Sequence, residues 1–414
     1  MRRTLFLLIF FTIILSLSLS AQEPVTVYEN PVAPRIPEIS AQGNSYSAIA
    51  KGYGSLFTNP AGFASDEVDF TLVNINPWVY CRPDLLVPFV QNLIGEDQNG
   101  AAEDAAETES PELSKYLTIL DEQMQKNNGI GFGFNAGISF VGNGLGLGVF
   151  SVGEALIEGG SIFEAKADAV VTIGAVGGYS IPFKLGGLEL KVGGDVRPMV
   201  RLKAPLGPKE IGALLPALMG GGEGSSDPFQ QILNSVNSYY GMGLAIDLGA
   251  ILEIGAFSVG LSVRDLANTQ FFYHENTIMD HIENLDDFMG DDEATTTDVK
   301  YIIPMEISLG GGFHPDLGGL SALIDPKVHF DLKDPIGVIR DGKTPWTLLN
   351  IGAEVKLLKF INIRGGFSQG FPSLGIGLDI PLMNINLAVF TNAIGKHLQD
   401  GSMSGVSLEV AMRI

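Results

Sequence analysis

From residue 67 onward, apolar and polar side chains alternate with a period of two, the rhythm of strands whose two faces meet different surroundings. At the C-terminus Val406, Leu408, Val410, Met412 and Ile414 alternate with Ser407, Glu409, Ala411 and Arg413. Leu349, Ile351, Ala353, Val355 and Leu357 alternate in the same way with Asn350, Gly352, Glu354 and Lys356, and Ile303 to Leu309 repeat it. So do Ile130 to Phe140, whose even positions are Phe132, Phe134 and Ile138, and Leu374 to Ile380. About fourteen such segments can be marked, of about ten residues each. They start near Glu67, Gly129, Gly144, Ser161, Leu188, Tyr240, Phe257, Tyr301, Leu320, Trp346, Phe360, Phe371, Asn384 and Met403.

The connections between these segments fall into two alternating classes. Long ones cover 81–128, 204–239, 268–300 and 333–345, with a shorter one at 393–402. Each follows an odd-numbered segment. The links after even-numbered segments are tight, as at Gly142-Asn143-Gly144, Leu358-Lys359 and Leu382-Met383. A soluble sandwich has no reason to sort its loops this way, whereas an outer-membrane barrel has short turns at one rim and long loops at the other. Alternation alone does not say which face is inside. The polar face is rich in glycine and mixes charge signs, as in Glu189, Lys191, Asp195 and Arg197, and in Asp325, Lys327, His329 and Asp331. That content suits a filled lumen, which leaves the aliphatic face to meet lipid. The predicted fold is all-β, a transmembrane antiparallel up-and-down barrel of about 14 strands.

Composition narrows the partners. The formal charge is −22 over 414 residues, which makes nucleic acid a poor partner. Met1-Arg2-Arg3, the apolar Leu5 to Leu19 and the small residues before Gln22 have the three regions of a secretory signal peptide, so residues 1–21 are expected to be a leader. A single cysteine, Cys81, allows no intramolecular disulfide. Beyond the leader no apolar run reaches the about 18 residues of a membrane helix. Residues 22–44 carry Pro24, Pro31, Pro34 and Pro37 and read as an extended linker.

Ser45 to Ala64, SYSAIAKGYGSLFTNPAGFA, is small or glycine where a backbone must come close. Asn59-Pro60 starts a fixed turn, with Gly62 two residues on. By itself this reads equally as a surface turn. The run Leu56-Phe57-Thr58-Asn59-Pro60-Ala61-Gly62, just after a signal peptide, resembles the segment near the N-terminus of the FadL-like outer-membrane transporters. The resemblance covers nearly the whole mature chain. It implies a fourteen-stranded barrel, an N-terminal hatch or plug over residues 22–65 with the barrel over 66–414, and passive uptake of long-chain fatty acids or other hydrophobic molecules. It also implies an apolar groove in the external loops, an internal site, insertion by the barrel-assembly machinery, and residence in the bacterial outer membrane. Ile414 departs from the terminal phenylalanine common in such barrels, which puts the assembly machinery or lineage in doubt.

The long loops carry helical spacing. Leu113, Tyr116, Leu117 and Leu120 follow Ser110-Pro111, and Phe229, Ile232, Leu233 and Val236 follow Asp227-Pro228. Leu86, Phe89, Val90 and Leu93 repeat the spacing, as do Ile211, Leu214, Leu215 and Leu218. Such short amphipathic helices pack on one another as a cap, or they form a groove that takes a hydrophobic molecule; both readings stand. Arg197, Arg201, Lys203 and Arg264 are candidates to receive a cargo carboxylate near the external end of the lumen, and the alternative is pairing with Asp195 or Asp265.

No catalytic chemistry is expected. Gly366-Phe367-Ser368-Gln369-Gly370 matches the serine-hydrolase string but lies where an apolar strand resumes, without the strand–elbow–helix context. Gly131-x-Gly133-x-x-Ala136 lies inside an alternating strand, not at a turn into a helix. The five histidines show no metal spacing, and the acidic run Asp286, Asp287, Asp291, Asp292, Glu293 lacks the order of a calcium loop, so neither a metal nor a cofactor is predicted. The sequence leads to a monomeric channel in the lipid bilayer. The alternative is a structural or secretion-associated scaffold or adhesin on the same barrel, and a periplasmic lipid-binding β-protein is a third reading.

Overall fold

The computed structural model describes residues 25–83, 86, 129–159, 164–211, 234, 236–283, 299–393, 396–397 and 400–414. The expected leader, most of the first long loop and the acidic run at 286–293 lie outside these residues. The strands are β1 (Val25–Tyr28), β2 (Asp69–Cys81), β3 (Ile130–Gly142), β4 (Leu145–Glu158), β5 (Lys166–Leu185), β6 (Leu188–Leu206), β7 (Asn237–Ile254), β8 (Phe257–Arg264) and β9 (Thr269–Thr277). They continue as β10 (Val299–Ile303), β11 (Glu306–Phe313), β12 (Ile324–Lys333), β13 (Leu349–Leu357), β14 (Ile361–Ser368), β15 (Phe371–Ile380), β16 (Met383–Ala393) and β17 (Ser402–Arg413).

Sequential neighbours pair antiparallel from β2 to β8 and from β11 to β17. The ring closes because β8 pairs with β11 and β17 with β2. β8 and β9 are the halves of one crossing, both paired with β7, and β10 and β11 are the halves of the next. The result is a closed antiparallel barrel of fourteen crossings. No helix among the described residues is long and apolar enough to cross a membrane.

Every predicted strand is present, with ends shifted by a few residues. Near Leu320 and Trp346 the chain first makes 3-10 turns, Gly318–Ala322 and Pro345–Leu348, before β12 and β13 begin. One expected loop is corrected. Residues 269–277 are β9, not part of an external connection, because the chain re-enters the wall after a break at 265–268. Asp265, Ala267 and Asn268 there have φ of 52°, 62° and 67°, left-handed values that stop a strand locally.

The sidedness is the one that the glycine-rich, mixed-charge content of the polar face predicts. Leu408 is 39% exposed while its neighbour Glu409 is fully buried, and the outward positions of each strand are aliphatic or aromatic around the whole ring. An apolar belt of this size is stable in hydrocarbon and not in water. Inward positions are glycine, small, polar or charged, except for a set of aromatic and apolar side chains toward the long-loop end.

Inside the ring lies the N-terminal segment. It descends from β1, at the long-loop end, to Ser65 at the short-turn end, passing through short helices at Pro37–Ala41 and Gly52–Ser55 and the 3-10 turn Pro60–Ala64. Its residues Tyr46, Tyr53, Leu56, Phe57, Ala61 and Phe63 are buried against the wall. Wall glycines let its backbone come close: a Cβ on Gly193 would sit 2.5 Å from the Pro60 carbonyl oxygen, and one on Gly260 would collide with that of Ser47. The polar groups of the segment find wall partners. Asp331 accepts from the Tyr46 and Ser47 amides at 2.9 and 3.0 Å and from the Ser47 hydroxyl at 2.8 Å. His329 bonds Ser45 and Gln42. The Asn59 side chain accepts from the Ala61 amide, capping the turn, and donates to the Ser47 carbonyl at 2.8 Å.

Two outcomes follow from this packing. Leu408→Arg, placing a charge on the lipid face, should lower barrel stability by about 2–4 kcal/mol in denaturant titrations from lipid vesicles, against a small change for Leu408→Phe. Asn59→Ala leaves the Ser47 carbonyl and the Ala61 amide unpaired, a loss of about 1–3 kcal/mol. It should speed hydrogen exchange in residues 45–64 by at least about tenfold while amides of β13 to β16 keep their protection.

Candidate functional site

The lumen has two chemically distinct halves. Toward the long-loop end, inward residues from opposite sides of the ring form an aromatic chamber: Trp78 and Tyr80 from β2, Phe150 from β4, Phe271 and Tyr273 from β9, and Phe390 from β16. Met199, Val152 and Ile303 fill between them. These side chains point inward because they share the face of the lumen glycines and acids, one residue out of phase with the lipid belt. The chamber holds the chain's own Val32 and Ile36. Arg35 spans it, its guanidinium 4.8 Å from the Tyr80 ring and 5.1 Å from that of Phe390, with Glu154 at 3.5 Å.

At the upper edge of the chamber, β6 and β9 supply a cationic group. Arg201 and Lys203 lie two residues apart on the inward face of β6, and Tyr273 faces them from β9. Arg201 Nη1 donates to Glu29 Oε2 at 2.8 Å, Lys203 Nζ to Glu29 Oε1 at 2.7 Å, and the Tyr273 hydroxyl to Oε2 at 2.8 Å. Burial alone would raise the Glu29 carboxyl, but the Lys203 hydrogen bond and the Arg201 charge hold it below the usual range. Aromatic faces support both cations. Arg201 sits 4.7 Å from the Phe271 centroid, and Lys203 lies 5.6 and 5.4 Å from those of Tyr273 and Tyr301.

Arg197 and Arg264, the other two expected carboxylate ligands, lie elsewhere. Arg197 is fully buried at mid-height, 3.3 Å from Asp247 and 3.2 Å from Asp265, a lumen pairing of the kind the alternative names. Arg264 stands at the β8 break, not at the end of a crossing, because β9 continues the wall above it. It contacts Asp247 at 3.6 Å and donates to the Phe57 carbonyl of the N-terminal segment. Asp265 also takes a hydrogen bond from Thr269, and its amide donates to Asp247. This buried cluster braces the interrupted crossing and ties the segment to it.

Toward the short-turn end the lumen is charged. A cavity of about 280 Å³ opens there between the segment and β12 to β17, lined by five acidic and five basic residues. Among them Arg364 pairs with Glu354 at 2.6 Å and Lys356 with Asp379 at 2.7 Å.

The six expected hatch residues, Leu56, Phe57, Asn59, Pro60, Ala61 and Gly62, are all buried inside the ring. Of the expected loop-groove residues, Leu86 and Ile211 are described. Leu86 packs on Cys81 and Ile130, and Ile211 on Ala165 and Ala167. Both lie against the outward side of the wall near the long-loop rim. The other nine, Phe89, Val90, Leu93, Leu214, Leu215, Leu218, Phe229, Ile232 and Leu233, lie outside the described residues, as do 113–120. Sequence reasoning missed Glu29, Phe271 and Tyr273. The alternation in Thr269–Thr277 was a usable signal for the last two, but nothing local marks Glu29.

The outer wall carries a groove of about 780 Å³ beside the break, lined by Ile173, Ala175, Pro198, Met242, Leu244 and Phe272, with Asn268 and Gln270 at its rim. Among the described residues no cluster of His, Cys, Asp and Glu could hold a metal ion.

No family model and no curated protein matches this sequence. Among solved structures the chain is similar to the toluene transporter TodX of Pseudomonas putida, at 11% identity and a TM-score of 0.46, over 94% of this chain and 99% of that one. It is similar to a FadL homologue of Pseudomonas aeruginosa, at 11% identity and 0.46, over 92% and 98% of the two chains. The toluene transporter TbuX of Ralstonia pickettii follows at 12% identity and 0.44, over 91% and 97%.

Proposed function

We propose that the protein is an outer-membrane channel for the passive uptake of hydrophobic molecules, long-chain fatty acids among them. The observation that carries this reading is the aromatic chamber. A water-filled pore lines its lumen with polar groups, whereas here Trp78, Tyr80, Phe150, Phe271, Tyr273 and Phe390 converge inside the ring and are covered by apolar residues of the chain itself. Such a lining excludes water, and each methylene of a cargo buried there contributes about 0.8 kcal/mol.

In this reading residues 1–21 are the leader, 22–65 the linker and hatch, and 66–414 the wall, inserted by the barrel-assembly machinery and acting as a monomer. Loop residues around Leu86 and Ile211 gather cargo at the external rim. The chamber holds it, and displacement of the hatch releases it. Of the two exits, the sideways one is favoured: the cavity below the hatch is lined by ten charged residues, while the outer groove at the β8–β9 break is apolar and open to lipid. No step requires bond making. The comparisons with hydrocarbon channels agree with a hydrophobic cargo without choosing among chemical classes.

Liposomes containing the purified protein should take up labelled oleate at least about tenfold faster than empty ones; equal rates would sink the reading. Hatch movement has its own test. A Cβ built on Gly312 lies 3.8 Å from that of Ala48, the spacing of a disulfide. In a Cys81→Ser background, Ala48→Cys with Gly312→Cys should block uptake when oxidised and restore it on reduction.

A further inference from the structure

On the β2 side of the chamber the wall carries a flat aromatic plate. Phe390, Gly405, Tyr80 and Gly131 pair in one row across β16, β17, β2 and β3. A Cβ on Gly131 would collide with the Tyr80 ring, and one on Gly405 would lie 2.5 Å from that of Phe390, so the two glycines let both rings lie flat against the wall. Glu154 of β4 stands beside the plate, and among the described residues its partners are the Tyr80 hydroxyl and Arg35. Asn392 shares the face of Phe390 on β16 and, in the orientation that satisfies both ends of its amide, accepts from Arg35 Nη1. Two ring faces, a carboxylate and an amide oxygen recognise a cation, and all four belong to the wall. The guanidinium of Arg35, which lies over both rings, fits them imperfectly: its Nε is buried without a hydrogen-bond partner, and a buried donor left unpaired costs stability. A quaternary ammonium carries the same charge and has no N–H to satisfy.

We propose that this plate is a subsite for the head group of a hydrophobic quaternary ammonium, whose alkyl chain lies among the other rings of the chamber. This rests on the uptake reading for the route by which the cation arrives. Arg35 gives way by turning about its own side-chain bonds, which have several staggered alternatives, and the backbone of the N-terminal segment keeps its place. Glu154 supplies the counter-charge, and its side chain is 36% exposed within the ring, so a second guest can reach it. The approach from outside favours the same sign of charge. Residues 82–128 carry ten acidic side chains against three basic ones, and residues 278–298 carry eight against none. Both connections leave the long-loop rim, and a negative field there draws cations to the mouth and repels anions. Outer loops and inner plate therefore select alike, by charge first and by aromatic contact second. A neutral molecule of the same length enters the chamber but gains nothing from Glu154.

The test uses the full mature chain in a non-ionic detergent, with decyltrimethylammonium and decanol as probes below their aggregation limits. Trp78 lies in the chamber, and in a Trp346→Phe background its fluorescence reports binding at that one place. The cation should bind at least about tenfold more tightly than the alcohol; equal affinities would overturn the proposal without any variant of the site. Glu154→Gln should weaken the cation about tenfold and leave decanol unchanged, and Arg35→Gln, which removes the resident cation, should tighten it about fivefold. Unchanged cation affinity in either variant, in protein that still shows heat-modifiable gel migration, also overturns it. Cation-selective binding in a protein whose liposomes take up neither oleate nor decyltrimethylammonium would remove the uptake reading and leave this one standing. Oleate uptake with equal binding of the two probes would do the reverse.

Discussion

A backbone amide or carbonyl left unpaired in hydrocarbon costs several kcal/mol, and the architecture of this protein follows from satisfying every one. Closure of β17 on β2 and of β8 on β11 removes the sheet edges. The places where the ladder fails are repaired individually. At the break between β8 and β9 the Leu266 amide reaches the Ile246 carbonyl and the Asp265 amide reaches the Asp247 side chain. Across the next crossing, where Pro304 interrupts, the Met305 amide donates to the Asn268 side chain at 2.8 Å. Above that point β12 has ended, since it pairs only with β11 on this side, and the exposed edge of β10 is covered by β1. The N-terminus is thus part of the wall as well as its filling.

The same requirement shapes the lumen. A segment of coil and short helices brings many backbone groups into the ring, and each must be matched from the inner face. Glycines admit the backbone at Pro60 and Ser47, Asp331 accepts from its amides, Ser373 donates to the Ala41 carbonyl, and His329 bonds the Ser45 and Gln42 side chains. Tight packing of this kind is specific but local, concentrated in residues 42–64. Above it the chain touches the wall through Glu29, Arg35 and a few apolar side chains, and beside it toward the short turns lies the charged cavity. The filling is therefore pinned along residues 42–64 and held at its upper end by fewer, mainly side-chain contacts.

Strand number, alternating loop lengths and the outward face were legible because each is a local property: a period of two, a tight turn, a glycine-rich face. The Asn59-Pro60-Ala61-Gly62 turn was legible as a turn for the same reason, but its burial was not, since by itself it reads equally as a surface turn and only the resemblance placed it inside the ring. By itself the sequence determined that this chain closes a wall with a lipid face and a polar inner face. The tertiary structure alone decided which charges are spent on holding that wall together and which meet the threaded N-terminus. Arg197 and Arg201 sit on the same face of the same strand, four residues apart. One is sealed between two aspartates of β7 and the β8–β9 break, and the other meets an acid 172 residues earlier in the chain. Nothing local in the sequence separates them, because the partner of a lumen charge is set by ring closure and by the path of the threaded N-terminus.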